Sequence, residues 1–414
     1  MTEYLTLQKL YYQDRSSDRD ANIKLIAEKR RNEESSFKTG IEISSGELFL
    51  AMPAQLSILS ERLLRVERKV SHLWRDLPGI AQGAYLRGLI LDEIMSTNEI
   101  EGVRSTRRQI EEALESVVSH KHRTEYKRFK EFARLYLELT NKNHVYPKTP
   151  VDIRKIYDSI LLGELKEKDH PDGAIFRKDP VSIVTLSQKE IHKGVMPESE
   201  ILRMLEQMIA LVNSPDIPPT FSAIISHFLF EYIHPFYDGN GRTGRYLLAL
   251  YLSEPLSLPT VLSLSSVIAE NKSKYYKAFA TTEASVNYGE ATFFVIQMMS
   301  LIRLAQDSVI EDLEKKARLL EIAAGALEKA IEKPYELNSK ESNVMFQAIQ
   351  QFLFGAFSEI SLEDISRYSK ISVQTARKYS LKLEEKGLLE PVSLKPLKFK
   401  LTKQAIDALD IAEG

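Results

Sequence analysis

The sequence has no cysteine. That excludes disulfide frameworks, thiolate zinc sites, iron–sulfur clusters and cysteine nucleophiles together, and it suits a reducing compartment such as the cytoplasm. An excess charge of either sign is lacking too: 56 Lys and Arg stand against 58 Asp and Glu, a formal net charge of −2. So balanced a chain is no general magnet for nucleic acid, although a local basic patch stays open. No run of 18 uninterrupted apolar residues occurs, so no membrane-spanning helix and no membrane partner are expected. The N-terminus, MTEYLTLQKLYYQDRSSDRD, has no basic start followed by an apolar core, so no secretory leader is expected. The histidines show no HExxH spacing. What remains is a chain of 414 residues, 43% apolar and 28% charged, ordinary for a globular protein of two or three domains.

Residues 1–52 read as a mixed segment, with a charge-rich run from Asp14 to Lys38 and two short strands around Ser45-Gly46. Helical patterns follow at Ala54–Trp74, Ile80–Ile100, Arg107–Val118 and His122–Asn141. Pro150 fits the first turn of another helix, to Leu165. Between Asp172 and Gln188, Gly173, Pro180 and a β-branched cluster break the helical period and predict a short hairpin or extended flap. Helices resume at Pro197–Val212. Thr220–Ile233, apolar on nearly every side, and Thr243–Ser253 predict two buried helices, followed by helices near 264–282 and 287–332. The polar stretch 333–342 reads as a linker. Beyond it come helices at Asn343–Phe354, Ser361–Tyr368 and Val373–Lys386, the second opened by a capping box and the third closed by Gly387. An alternating hairpin at 388–401 then completes the pattern of a winged helix-turn-helix domain over 343–414. The fold class expected is all-α, with a hairpin flap, plus that domain.

The informative segment is HPFYDGNGRTGR, His234–Arg245, between the two buried helices. Its GxGxxG spacing is shared with dinucleotide-binding turns, but those follow a strand inside a βαβ unit, and no such unit surrounds it. A plain polar turn fits poorly, because charges facing a buried helix pair must be paired or functional. The chemistry of the residues describes an anion cradle. Gly239 and Gly241 let backbone approach a phosphate, and the next helix aims its free N–H groups at it. Arg242 and Arg245, three apart, provide two guanidinium forks. Asp238 is a hard oxygen ligand suited to Mg²⁺ shared with phosphates. His234 ends the preceding helix, within reach as a general base. Together these describe group transfer from a nucleoside triphosphate.

The segment matches without a gap the pattern HPFx(D/E)GNGRxxR, and the chain resembles the Fic family of protein adenylyltransferases over roughly 80–300. The resemblance implies a helical bundle with a hairpin flap, ATP and Mg²⁺ as cofactors, and a target protein modified on Tyr, Ser or Thr. By the same resemblance His234 would deprotonate the target hydroxyl, Phe236 would anchor the loop, and Asp238 would hold Mg²⁺. Gly239, Asn240, Gly241, Arg242, Thr243, Gly244 and Arg245 would cradle the triphosphate, with Arg242 on the β- and Arg245 on the γ-phosphate. Val181, Ser182 and Ile183 in the flap would dock the target by β-augmentation. Tyr275 and Tyr276 would line the nucleotide pocket, with plain helix packing as the competing reading. Glu283 stands where some relatives place an asparagine near the adenine, which leaves the base selectivity open.

Upstream, Thr97-Asn-Glu-Ile-Glu101-Gly102 puts a carboxylate at the negative end of a predicted helix, where a cationic partner would stabilise it. The segment resembles the inhibitory pattern (S/T)xxxE(G/N) of the same family. That implies Glu101 pairs with Arg245 and removes the γ-phosphate clamp; in some family members the same glutamate serves removal of AMP. Residues 370–403 carry nine basic side chains against three acidic ones. DNA is therefore a candidate partner through the winged helix, and a nucleotide-sensing, DNA-binding transcriptional regulator is the competing function. Homo-oligomerisation is left open.

Overall fold

A computed structural model describes residues 4–118, 128–184, 190–332, 334–394 and 396–412. The chain divides into two units, Met1–Glu67 with Asp92–Gln306, and Arg68–Leu91 with Asp307–Gly414. Each unit joins segments that are far apart in the sequence. Val70, Leu77 and Tyr85 share a core with Leu313, Ile349, Leu383 and Phe399.

The chain begins with α1 (Leu7–Gln13) and α2 (Arg19–Asn32), then a hairpin of β1 (Phe37–Ile43) and β2 (Gly46–Leu50). The charge-rich run is thus helical for most of its length. It buries Ile23 and Ala27, and it sets Arg30 2.8 Å from the buried carboxylate of Glu290. Next come α3 (Ala54–Asp76), α4 (Gly79–Ile100), α5 (Arg107–Val118), α6 (Lys130–Thr140) and α7 (Pro150–Ile160). The expected start of α6 at His122, and His120, lie outside the described residues. In α7, Thr149 and Asp152 close a capping box around Pro150 at the first turn.

The flap is β3 (Ser182–Val184) paired antiparallel with β4 (Glu190–Lys193), so its return strand lies beyond the expected end at Gln188. Its tip, 185–189, lies outside the described residues. Then follow α8 (Glu198–Val212), α9 (Pro219–Ile233), α10 (Asn240–Leu252), α11 (Leu258–Val261), α12 (Leu264–Glu270), α13 (Lys272–Glu283) and α14 (Thr292–Glu332). The helix expected over 264–282 is broken at Asn271. In α9, thirteen of fifteen residues are buried, and the hydroxyls of Ser222 and Ser226 return to carbonyls three residues back. Polar atoms in so buried a helix must find partners, and the backbone provides them. By length and apolarity α14 passes the test for a membrane span. Its apolar residues Phe294, Val295, Met298 and Ile302 are nevertheless buried within the first unit.

In the second unit, α15 (Ser339–Phe354), α16 (Leu362–Ser369), α17 (Val373–Glu385) and α18 (Lys403–Ala408) accompany a three-stranded sheet. Its strands, β5 (Ile360–Ser361), β6 (Leu389–Leu394) and β7 (Leu397–Leu401), lie in the order β5-β7-β6. Ser361 caps α16 through the Asp364 N–H, and Gly387 takes the left-handed backbone that closes α17.

Candidate active site

The turn between α9 and α10 is held from within. Helix α10 begins at Asn240, earlier than the expected Thr243, because Gly239 adopts a left-handed φ of +79° and turns the chain sharply. A Cβ at Gly239 would also lie 2.9 Å from the Leu161 side chain. Asn240 Nδ2 donates to the Phe236 carbonyl (2.8 Å), and Asn240 Oδ1 accepts from the Phe236 N–H (3.0 Å). The Asn240 side chain is therefore committed to the loop, and only its backbone is left for an anion hole. Phe236 is buried and stacks on Tyr157, ring centres 3.5 Å apart, with Phe176 alongside. Thr243 Oγ1 donates to the Gly239 carbonyl (2.9 Å), which tightens the same turn.

His234 is the C-cap of α9, in left-handed backbone with φ 52°. For a histidine this is uncommon geometry that its surroundings must enforce. Its Nδ1 lies 3.3 Å from the Glu231 carbonyl. A carbonyl only accepts, so Nδ1 carries the proton and Nε2 is left with a lone pair. Burial, with the charges of His192 and Arg177 nearby, pushes its pKa down to about 4, so the ring is neutral at pH 7. Glu231 is pushed up to about 8, chiefly by burial, and its Oε1 has no partner.

The two motif arginines are both almost fully buried, and both meet carboxylates. Arg245 Nη2 donates to Glu101 Oε1 (2.7 Å), and the same guanidinium donates to Thr97 Oγ1 (2.7 Å) and the Thr97 carbonyl (3.1 Å). Glu101 follows α4 directly, with Gly102 in left-handed backbone behind it. Its Oε1 would lie 2.1 Å from a Cβ built on Gly241, so the carboxylate sits over the first turn of α10. An anion is stabilised there by the free N–H groups and the positive end of the dipole. Arg242 Nη1 lies 2.9 Å from Glu164 Oε2, which Arg128 approaches at 3.5 Å. Arg242 Nε and Glu164 Oε1 remain buried without partners. A buried guanidinium with an unsatisfied donor fits a further anion. Asp238 is exposed and accepts the Gly239 N–H at 2.7 Å. Among the described residues no three His, Asp or Glu side chains gather as a metal cluster. A divalent ion at Asp238 would thus take its other ligands from phosphate and water, the habit of Mg²⁺.

The tyrosine pair is split. Tyr275 is buried with its hydroxyl on His227 Nε2 (2.8 Å), while His227 Nδ1 meets the Gly244 carbonyl (3.1 Å). Tyr275 therefore braces α10 from the core, whereas Tyr276 is half exposed. In the flap, Ser182 pairs with Lys193 and Ile183 with His192, while the Val181 carbonyl accepts the Gly194 N–H (3.0 Å). Glu164 and His192 were not singled out in the sequence. Glu164 had no local signal. His192 and Glu283 form a pair, Nδ1 to Oε2 at 2.7 Å, with His192 Nε2 2.8 Å from the Tyr232 carbonyl. Glu283 is thereby engaged by the flap. Its departure from the family pattern was the one visible hint.

Part of the chain is similar to known proteins. The Fic/DOC family model matches residues 147–252. Protein adenylyltransferase fic-1 of Caenorhabditis elegans is 28% identical over 131 residues, 30% of this chain and 24% of that protein. The probable protein adenylyltransferase aq_aa38 of Aquifex aeolicus is 36% identical over 105 residues, 25% of this chain and 29% of that protein. The matches thus span about a quarter of the length of these curated relatives. A Fic family protein from Desulfovibrio desulfuricans G20 shares the fold, with a TM-score of 0.51 at 19% identity over 85% of this chain and 97% of that one.

Proposed function

Residues 147–252 are a Fic/DOC-family domain, and from that premise we propose that the protein is an adenylyltransferase that moves AMP from ATP to a hydroxyl of a target protein and is restrained by Glu101. In this reading the flap edge at Val181, Ser182 and Ile183 docks an extended target segment. His234 Nε2 takes the proton of the target hydroxyl. The hydroxyl oxygen bonds to the α-phosphorus as the bond to the bridging α–β oxygen breaks, and pyrophosphate leaves. Arg242 and the α10 N–H groups hold the departing phosphates; Arg245 holds the γ-phosphate when it is free. Mg²⁺, when bound at Asp238, neutralises charge on the leaving phosphates.

The observation that carries the restraint is the 2.7 Å contact of Glu101 with the buried Arg245 guanidinium. With that clamp taken, the triphosphate tail loses a fixed point, and misalignment of the reacting phosphorus costs orders of magnitude in rate. Intact-protein mass after incubation with ATP and Mg²⁺ tests the reading on wild type, Glu101→Gly and Glu101→Gly/His234→Ala. An added AMP on the single variant and none on the double one is expected. Equal incorporation by wild type and Glu101→Gly would sink the restraint. The same experiment on AMP-modified protein without ATP reads any removal of AMP, the second activity that the Glu101 position would support.

A second reading has its own observation. Gln374, Arg377, Lys378, Leu381 and Lys382 lie along one exposed face of α17, opposite the buried Ala376, Ser380 and Leu383. If residues 343–414 are a winged helix, this is its recognition face, and the protein is a nucleotide-sensing regulator that binds DNA. Salt-dependent DNA binding that survives His234→Ala and responds to ATP would favour it.

A further inference from the structure

Arg177 lies between Phe176 and the flap and is 0% exposed. Among the described residues it has no carboxylate partner. Its five N–H donors nonetheless meet five acceptors. Nε donates to the His234 carbonyl (2.9 Å), and Nη1 to the Asp179 carbonyl (2.9 Å) and Met196 Sδ (3.0 Å). Nη2 donates to the carbonyls of Val195 (2.8 Å) and Ile233 (3.4 Å). The Arg177 N–H adds a bond to the Pro235 carbonyl (3.3 Å), and the Val195 N–H one to the Ile233 carbonyl (3.0 Å). A full complement of donors on one guanidinium is a fixed fork, and an ammonium cannot reproduce it.

The acceptors belong to three places: the approach to β3 (Asp179), the exit from β4 (Val195, Met196), and the end of α9 (Ile233, His234). Burying an unneutralised charge is costly. Here the cation caps the last carbonyls of α9, the negative end of its dipole. Space around it is closed: a Cβ on Gly194 would lie 2.4 Å from Arg177 Nη2 and 3.2 Å from the His234 Cβ. The left-handed backbone of His234 needs enforcement, and Arg177 holds the carbonyl of that residue.

We propose that Arg177 is the positioning residue of the transfer reaction: it locks the His234 backbone and both roots of the flap into one register, so that the base and the docked hydroxyl keep their separation. The assignment rests on the proposed function. Its charge also adds to burial and to His192 in holding the imidazole neutral, which gives it a signature that simple packing would lack.

The test uses the full chain in the Glu101→Gly background, with Arg177→Lys, Arg177→Met and, keeping the arginine but displacing it, Gly194→Ala. Three readings are taken: AMP incorporation against pH, ATP affinity by calorimetry, and His234 titration by NMR of labelled histidine. Arg177→Lys and Gly194→Ala are expected to lower transfer by roughly 10²-fold while ATP affinity changes less than about twofold. Arg177→Met is expected to move the acid limb of the pH profile, and the His234 titration, to higher pH. Should Arg177→Met fail to fold, Arg177→Lys and Gly194→Ala still test the positioning through transfer and ATP affinity, and parental transfer in both would overturn it. Parental transfer rates with an unmoved His234 titration would overturn the proposal. So would parallel loss of ATP binding and transfer, which marks plain structural damage. If the Glu101→Gly parent itself transfers no AMP, the adenylyltransferase reading fails, and the His234 titration still decides the role of Arg177.

Discussion

Replacing Glu101 by glutamine keeps the side-chain shape and removes the charge that faces Arg245. Arg245 is 2% exposed and Glu101 29%. Breaking a fully buried pair costs about 3–5 kcal/mol. The cost here is smaller, because the glutamate is partly solvated, Thr97 keeps two bonds to the guanidinium, and the amide oxygen still accepts. We therefore expect the ligand-free protein to lose about 1–2 kcal/mol. If, as proposed, the same contact competes with the γ-phosphate, its removal returns a similar free energy to ATP binding. At about 1.4 kcal/mol per decade, that is a roughly tenfold lower Kd. Thermal unfolding with and without ATP and Mg²⁺, alongside calorimetric titration, reads both effects. A variant that binds ATP with the wild-type Kd and unfolds at the wild-type temperature would refute the competition on which the restraint depends.

Three more outcomes follow from the geometry. Both ring nitrogens of His192 face oxygens, an arrangement that favours the doubly protonated ring; burial opposes this, but Glu283 and the Tyr232 carbonyl outweigh it and raise the pKa. The resulting stabilisation is complete below the unfolded value of about 6.5 and lost as pH rises through the raised folded value, so the stability gap between wild type and His192→Gln should shrink in alkali; a gap independent of pH contradicts it. Glu164→Gln leaves the buried Arg242 without a carboxylate and should cost about 3 kcal/mol in urea unfolding, and a neutral result would mean that the pair adds nothing. Phe236→Ala removes a ring stacked at 3.5 Å on Tyr157 and should cost about 3–5 kcal/mol in the same measurement.

Much of the site was legible because it is contiguous. His234, Asp238, the glycines, Arg242 and Arg245 occupy one turn and the start of one helix, so their spacing already constrains them to a single cradle. Helices α3, α4, α5, α9 and α17 were legible for a related reason, since apolar periodicity and capping are local properties. Helix α2 was not, because its buried face is narrow and its long charged side chains mask it. The early start of α10 was hidden as well, since it depends on a left-handed glycine against Leu161 rather than on propensity.

By itself the sequence determined the cradle, the helical class and, through resemblance, the pairing of Glu101 with Arg245. Only the tertiary structure decided which other charges close around that cradle. Glu101 and Arg245 lie 144 residues apart, His192 and Glu283 91, Glu164 and Arg242 78, and Arg177 reaches His234 across 57. No local period encodes such pairs. They exist because a buried charge must find its counter-charge or a full set of hydrogen-bond partners wherever the packed helices bring one within reach.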